Sequence, residues 1–346
     1  MRGTYTATYL NRVAEAFARK RGVPHIDIGK AFDLIVGTST GGIIACALAA
    51  DIPLQKVVDL YREHGPAIFE RRLPSGIGGV AGDLMKRRKA LQRGEQALLQ
   101  ALQEVLGDVT VGEVYQNRQI ALAITAVELG HHRSWVFKTP HLESSNHRDD
   151  GYRLVDLCLA TSAAPIYRSL AAVDHPAGGG FNVFADGGLW ANNPVLVGLI
   201  DALEMTEAGR ELEIYCLGTC PRPAGEIIKK DQVHRGLGEW NFGGAAASLS
   251  IDAQEFAYDN MARMLANHTG RKCTIVRFPR EQAPAALMPL LDLDDTSEAA
   301  AQALINQARH DADMTNSKCG RSDDAEGQFI TELFHAAPAG DAEPLK

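Results

Sequence analysis

Three observations predict an α/β fold with a largely parallel sheet covered by helices on both faces. Short apolar runs rich in β-branched residues alternate along the chain with segments of helical periodicity. Two of those runs, ending at Gly37 and at Asp186, break at glycines beside a small polar residue. The chain has 346 residues, 45% of them apolar, enough for a substantial core in one large domain or two smaller ones.

Residues 4–21 place Tyr9, Val13 and Phe17 at helical spacing and finish in a basic turn before Gly22, a helix C-terminal signal. Next, AFDLIVGTS reads as a buried strand, and TGGIIACALAA and PLQKVVDLYREHGPAIF as helices parted at Asp51-Ile52-Pro53. Residues 72–94 are rich in Gly, Lys and Arg and read as a flexible loop leading into the helix EQALLQALQEVLG. QIALAITAVEL and SWVFKTP are strand-like, and LVDLCLATSAAPIYRS is a helix ended by Pro165. FNVFADGGLWANNP is a strand that breaks at Asp186-Gly187-Gly188, followed by the helix NNPVLVGLIDALEM and the strand LEIYCLGTCP. From about Gly225 the apolar residues fall at helical spacing, and the tail, residues 335–346, reads as disordered.

A net charge of −8 argues against binding a nucleic-acid polymer, although Arg71, Arg72, Lys86, Arg87, Arg88 and Lys89 form a local basic patch. Such a patch would dock anionic head groups at about 1 kcal/mol per basic residue. The alternative reading is a solvated loop and helix start. The six cysteines are scattered, without zinc spacing or a disulfide framework, so neither metal nor cofactor is expected and a reducing cytoplasm fits. No run approaches the ~18–20 apolar residues of a membrane span, and the first residues do not form a signal peptide. The expectation is a cytoplasmic chain, peripheral to the inner face of a membrane.

Chemistry concentrates in DLIVGTSTGGIIACALAA, where a strand, a Gly-x-Ser-x-Gly and a helix follow one another. That order is the nucleophile elbow: a strained turn lifts a serine clear of the sheet at a helix N-terminus, where backbone N–H groups favour negative charge. Ser39 is the candidate nucleophile, and Gly37, Gly41 and Gly42 are small where the turn is tight. The competing reading is a Gly-rich turn with a capping serine. A phosphate loop is excluded, because no Gly-Lys-Ser/Thr follows, and the glycines at 178–180 precede a strand where a dinucleotide fingerprint would follow one. For the proton acceptor, His234, His268, His310 and His335 lie late in the chain, but His268 and His310 sit in polar helical surroundings and neither is framed by a strand end. Asp186 ends a strand before two glycines, where burial would raise its pKa toward the working range.

GTSTGG, ATSAAPIYRS, DGGLWANNP and LGT, in that order over residues 1 to about 265, resemble the patatin-like phospholipase family. The resemblance implies a three-layer α/β/α fold and hydrolysis of lipid acyl esters by a Ser–Asp dyad without histidine. Carried onto this sequence, Ser39 is the nucleophile and Asp186 the general base, with Gly187 and Gly188 completing the Asp-Gly-Gly motif. It implies a catalytic domain over residues 1–265, a helical C-terminal portion over 266–334 packed on it, and the tail beyond. Family members open with a strand and an Asp-Gly-Gly-Gly-x-Arg-Gly oxyanion loop. Here only Met1, Arg2 and Gly3 match its end, so the expectation is an oxyanion site of Arg2, Gly3 and Thr40 in a chain that starts late or is degenerate.

Membrane phospholipid is the expected substrate. The make-up is also similar to the cyclic-nucleotide-activated phospholipases of bacterial antiphage systems, which implies a cyclic nucleotide activator and a homo-oligomer, although no nucleotide-binding motif is visible. Two rival readings are an esterase or thioesterase on smaller acyl groups, and a catalytically impaired lipid-binding protein.

Overall fold

The computed structural model describes residues 2–72, 77–220, 225–236, 238–240, 244–292 and 294–340. The chain opens with helix α1 (Arg2–Arg21), strand β1 (Leu34–Gly37) and helices α2 (Thr40–Ala49), α3 (Leu54–Ile68), α4 (Ile77–Leu106) and α5 (Val111–Arg118). Strands β2 (Ala121–Glu128) and β3 (Arg133–Lys138) follow, then α6 (Leu154–Thr161), β4 (Ala171–Asp174) and β5 (Phe181–Asp186). Helices α7 (Gly188–Ala191) and α8 (Val195–Met205), strand β6 (Leu212–Leu217), α9 (Gly244–Ala266), β7 (Cys273–Phe278), α10 (Glu298–Cys319) and α11 (Ala325–Ala336) complete it.

The fold is α/β, but its sheet is mixed and not largely parallel. β2 pairs with β1 in parallel and with β3 and β5 antiparallel, and β4 pairs antiparallel with β5. The reason lies in the connections. Residues 129–132 and 175–180 are too short for a crossover helix, so each forms a hairpin, and a hairpin fixes antiparallel pairing. β6 and β7 form a separate parallel pair. Successive side-chain positions on β1 face opposite ways. A Cβ on Gly37 would strike the Gly41 carbonyl oxygen at 2.6 Å, whereas Val36 Cγ2 lies 3.2 Å from where Gly198 would carry one. Helix α2 therefore covers one face of the strand and α8 the other.

Four further expectations are corrected. Residues 77–106 form one helix, although 72–94 read as a loop (73–76 lie outside the described residues). Gly94 serves contact there: a Cβ on it would approach the Ile68 carbonyl oxygen to 2.3 Å, so its absence lets α4 close on α3, while Leu98, Ala101, Leu102 and Leu106 are buried. The helix before Pro165 ends earlier, at Thr161, because the next residues turn to bond the strand beside them. Residues 266–334 are not all helical, since β7 lies there and is held by its ladder to β6. Finally, residues 335–340 are ordered: α11 runs to Ala336, Ala337 is buried, and Ile26 bridges Ala339 (341–346 lie outside the described residues).

One hydrophobic core joins the sheet, α1 to α6 and the late helices α10 and α11. Across more than 300 residues Tyr5 Oη donates to Asp311 Oδ2 at 2.5 Å, Tyr9 Oη and Thr315 Oγ1 share a hydrogen bond at 2.7 Å, and the Phe17 and Phe334 rings stack at 5.0 Å. Arg118, buried beside α2, bonds Asp27 at 2.7 Å and the Ala49 carbonyl at 3.2 Å, with Asp51 at 3.6 Å. Removing one partner of a buried pair strands the other charge, which costs about 3–5 kcal/mol. Asp27→Ala is expected to lower the unfolding free energy by about 3 kcal/mol, the low end of that range because Asp51 remains. Urea denaturation of the two proteins measures it, and an unchanged midpoint would show that the pair carries no stability.

Candidate active site

Two strand ends meet on one edge of β2. In the register, Gly37 of β1 lies opposite Ile124 and Asp186 of β5 lies opposite Ala126. Both of those β2 residues also pair with β3, so β1 and β5 share the other edge and run toward each other. Thr125 stands at the point where they stop. Its hydroxyl shares a 2.7 Å hydrogen bond with that of Thr38, which donates in turn to the Ala191 carbonyl at 2.7 Å. On the far side, a Cβ on Gly187 would fall 2.2 Å from Thr125 Oγ1, so only glycine fits.

Ser39 leaves β1 with φ 55 and ψ −127, a region open to glycine and costly for a residue with a Cβ. This is the strained elbow. Gly37 and Gly42 make it possible by their bareness: a Cβ on Gly37 would lie 2.6 Å from Gly42 Cα, and one on Gly42 2.7 Å from Thr161 Cγ2. Gly41 has open space around it, so no contact dictates its size.

The Ser39 hydroxyl donates to Asp186 Oδ2 at 2.6 Å. The other carboxylate oxygen accepts the Gly188 N–H at 2.7 Å. Asp186 is only 7% exposed, and burial pushes its carboxyl up to about 6, against the opposing pull of Ser39, the Gly188 amide and the Arg168 cation. A half-exposed hydroxyl bonded to a buried carboxylate that titrates near neutrality is suited to proton abstraction. At the helix start, Gly41 and Gly42 donate their N–H groups to the Thr38 and Ser39 carbonyls, while the Thr40 N–H has no acceptor among the described residues. It is therefore available to an oxyanion.

The tripeptide Thr161-Ser162-Ala163 binds both halves together. Thr161 Oγ1 accepts the Ser39 N–H at 2.8 Å, the Thr161 carbonyl accepts the Gly187 N–H at 3.2 Å, and the Ala163 carbonyl accepts the Asp186 N–H at 3.0 Å. None of these residues was assigned a role from the sequence. The signal available was a run of hydroxyl and small residues, ATSAA, closing an otherwise apolar helix. Of the remaining sequence candidates, Gly3 lies beside the elbow, since a Cβ on it would meet Thr40 Cβ at 2.9 Å. Arg2 begins α1, and Met1 lies outside the described residues. The histidines stand apart from the dyad: His268 bonds the Met264 carbonyl of its own helix, and His335 packs edge-on against Phe17.

The family model described as Patatin-like phospholipase matches residues 1–199. A protein named cGAMP-activated phospholipase from Pseudomonas aeruginosa is 33% identical over 264 residues, covering 76% of this chain and 71% of the relative. Another of that name from Escherichia coli is 27% identical over 322 residues, 90% of this chain and 86% of the relative. Patatin-2-Kuras 4 of Solanum tuberosum is 28% identical over 187 residues, 51% of this chain and 45% of its own length.

The strain at Ser39 is measurable as stability. Ser39→Gly is expected to unfold at higher denaturant than Ser39→Ala, by about 1 kcal/mol, because alanine keeps the Cβ that the elbow disfavours while glycine gives back part of the gain as unfolded-state entropy. Equal midpoints would mean the turn stores no strain. Thr161→Val leaves the Ser39 N–H without its acceptor and is expected to cost about 1–3 kcal/mol in the same assay.

Proposed function

We propose, from the premise that this chain belongs to the patatin-like phospholipase family, that it is a serine hydrolase releasing fatty acid from membrane phospholipids through Ser39 and Asp186. One observation carries the reading: the 2.6 Å hydrogen bond from the Ser39 hydroxyl to a buried carboxylate, made at a strained elbow. As Ser39 Oγ attacks the acyl carbonyl carbon, its proton passes to Asp186 Oδ2. The carbonyl oxygen becomes an oxyanion, held by the Thr40 N–H and by the positive end of α2. Collapse expels the lysolipid alkoxide, which takes the proton from Asp186, and leaves an acyl ester on Ser39. Water, deprotonated by Asp186, then attacks that ester, frees the fatty acid and restores the serine.

Among the described residues no helix is long and apolar enough to cross a membrane, so the chain would meet its substrate at the surface. The exposed Lys86, Arg88 and Lys89, in the first half of α4, offer cationic contacts for anionic head groups. Part of the basic patch serves the fold instead, since Arg72 reaches Asp292 at 3.3 Å and Asp295 at 3.2 Å. The bacterial relatives are named for activation by cGAMP, which supports a cyclic nucleotide activator for this chain; assembly into a homo-oligomer is proposed alongside it.

Fatty acid release from mixed phospholipid vesicles, with and without cGAMP, tests the reading. Ser39→Ala and Asp186→Asn are each expected to lower it by about 10³-fold or more. Retained release in Ser39→Ala would remove the serine from the chemistry. Faster turnover of a soluble short ester than of vesicles would make the protein an esterase. The base must be ionised to accept a proton, so kcat/KM is expected to be flat above about pH 6 and to fall tenfold per unit below it.

A further inference from the structure

Arg168, in the ATSAAPIYRS stretch, is buried at 8% exposure, yet it makes no ion pair with a carboxylate among the described residues. Its guanidinium donates through Nη1 to Ser162 Oγ at 3.0 Å and to the Ser162 carbonyl at 3.4 Å, while Ser162 Oγ donates onward to the Cys158 carbonyl at 2.6 Å. Its backbone N–H donates to the Ala164 carbonyl at 2.9 Å. The anchor is one residue from each of the two carbonyls that hold Asp186 and Gly187, those of Ala163 and Thr161. A buried cation without a contact anion is costly to keep, so a charge further off must compensate it.

The charged and titratable groups around it are few. Asp186 on β5, Tyr61 on α3 and Glu95 on α4 act on it at longer range, each favouring its charged form, and burial draws it down to about 10, still cationic at neutral pH. Around Asp186 stand Ser39 from the elbow, the Gly188 amide from α7, Arg168 and the buried Tyr61 hydroxyl. Arg168 is the single cation in that set.

We propose that Arg168 is a positioning residue whose guanidinium, anchored on Ser162 between the two carbonyls that hold Asp186 and Gly187, keeps a fixed positive charge near Asp186 and favours its ionised form. The role rests on reading Asp186 as the general base. It separates two jobs that burial sets against each other: desolvation makes the carboxylate basic enough to take a serine proton, while the Ser39 and Gly188 hydrogen bonds, with the cation added to them, oppose its protonation at neutral pH. Ser162 fixes the distance, so the side chain tunes the base without touching substrate.

The test titrates the aspartate carboxyl carbons by carbon-13 NMR, the Asp186 signal being the one lost in Asp186→Asn, alongside pH profiles of fatty acid release. In the wild type the midpoint is expected near 6. Arg168→Gln is expected to raise it by about one unit, a loss of about fivefold in ionised base at pH 6 that fades at pH 8. Arg168→Lys should return the midpoint to near the wild-type value, and Ser162→Ala, which frees the anchor, should move it part-way. Should Arg168→Gln fail to fold, the Lys and Ser162→Ala proteins carry the same comparison. An unmoved midpoint in Arg168→Gln or Ser162→Ala, or a loss of activity equal at every pH, would overturn the proposal and leave a structural arginine. A midpoint that moves while the activity profile stays in place would keep the influence of Arg168 on Asp186 but refute Asp186 as the base.

Discussion

The molecule depends on one constraint: two strands that run toward each other along the same edge of β2 and stop at Thr125. β1 arrives in parallel and β5 antiparallel, so their ends are two β2 residues apart. This arrangement brings a turn after Gly37 and a carboxylate at Asp186 within hydrogen-bonding distance without a long loop. The convergence is thus a property of backbone register, set by ladder bonds, and the side chains inherit it. The threonine hydroxyls at 38 and 125 and the bareness of Gly187 make the junction tight enough for a 2.6 Å contact.

Around that junction the chain accepts costs that a purely structural site would avoid. Ser39 sits in a backbone region that disfavours a side chain, and Asp186 is a carboxylate taken out of water. Both are over-determined by neighbours. The segment 161–163 accepts the N–H groups of Ser39, Asp186 and Gly187, so the elbow cannot relax without breaking the bonds that hold the carboxylate. The strain and the desolvation are therefore coupled, and the surrounding core keeps them in place.

Much of this was legible in the sequence. The strand, turn and helix around Ser39 and the strand end at Asp186 lie where the sequence puts them, because a glycine break after a β-branched run is a local signal. The pairing direction was not legible. Alternation of strands and helices suggests a parallel sheet, whereas the short links after Glu128 and Asp174 make hairpins, and link length outweighs alternation. β4 is four residues long, too short to show a period, and the apolar pattern of β7 merges with the helical spacing around it. The glycines in α4 suggested a loop because the reason for Gly94 lies on another helix, at Ile68. Arg168 was invisible for the same reason: nothing beside it in the chain says that it is buried, or that Asp186 lies near.

The pairing of α1 with α10 and α11 bears on how the chain comes to be folded at birth. Tyr5 finds its acceptor in Asp311, and Phe17 its stacking partner in Phe334. Helices α2 and α3 follow α1 closely and pack on it, whereas the part of its apolar face that α10 and α11 cover stays open until those helices have been made. Gly3, on that same helix, backs Thr40 at the elbow. A partly made chain therefore has its serine and aspartate strands in hand but lacks a firm wall behind the helix that would receive the oxyanion. The packing behind the elbow is complete only when α10 and α11 have docked on α1.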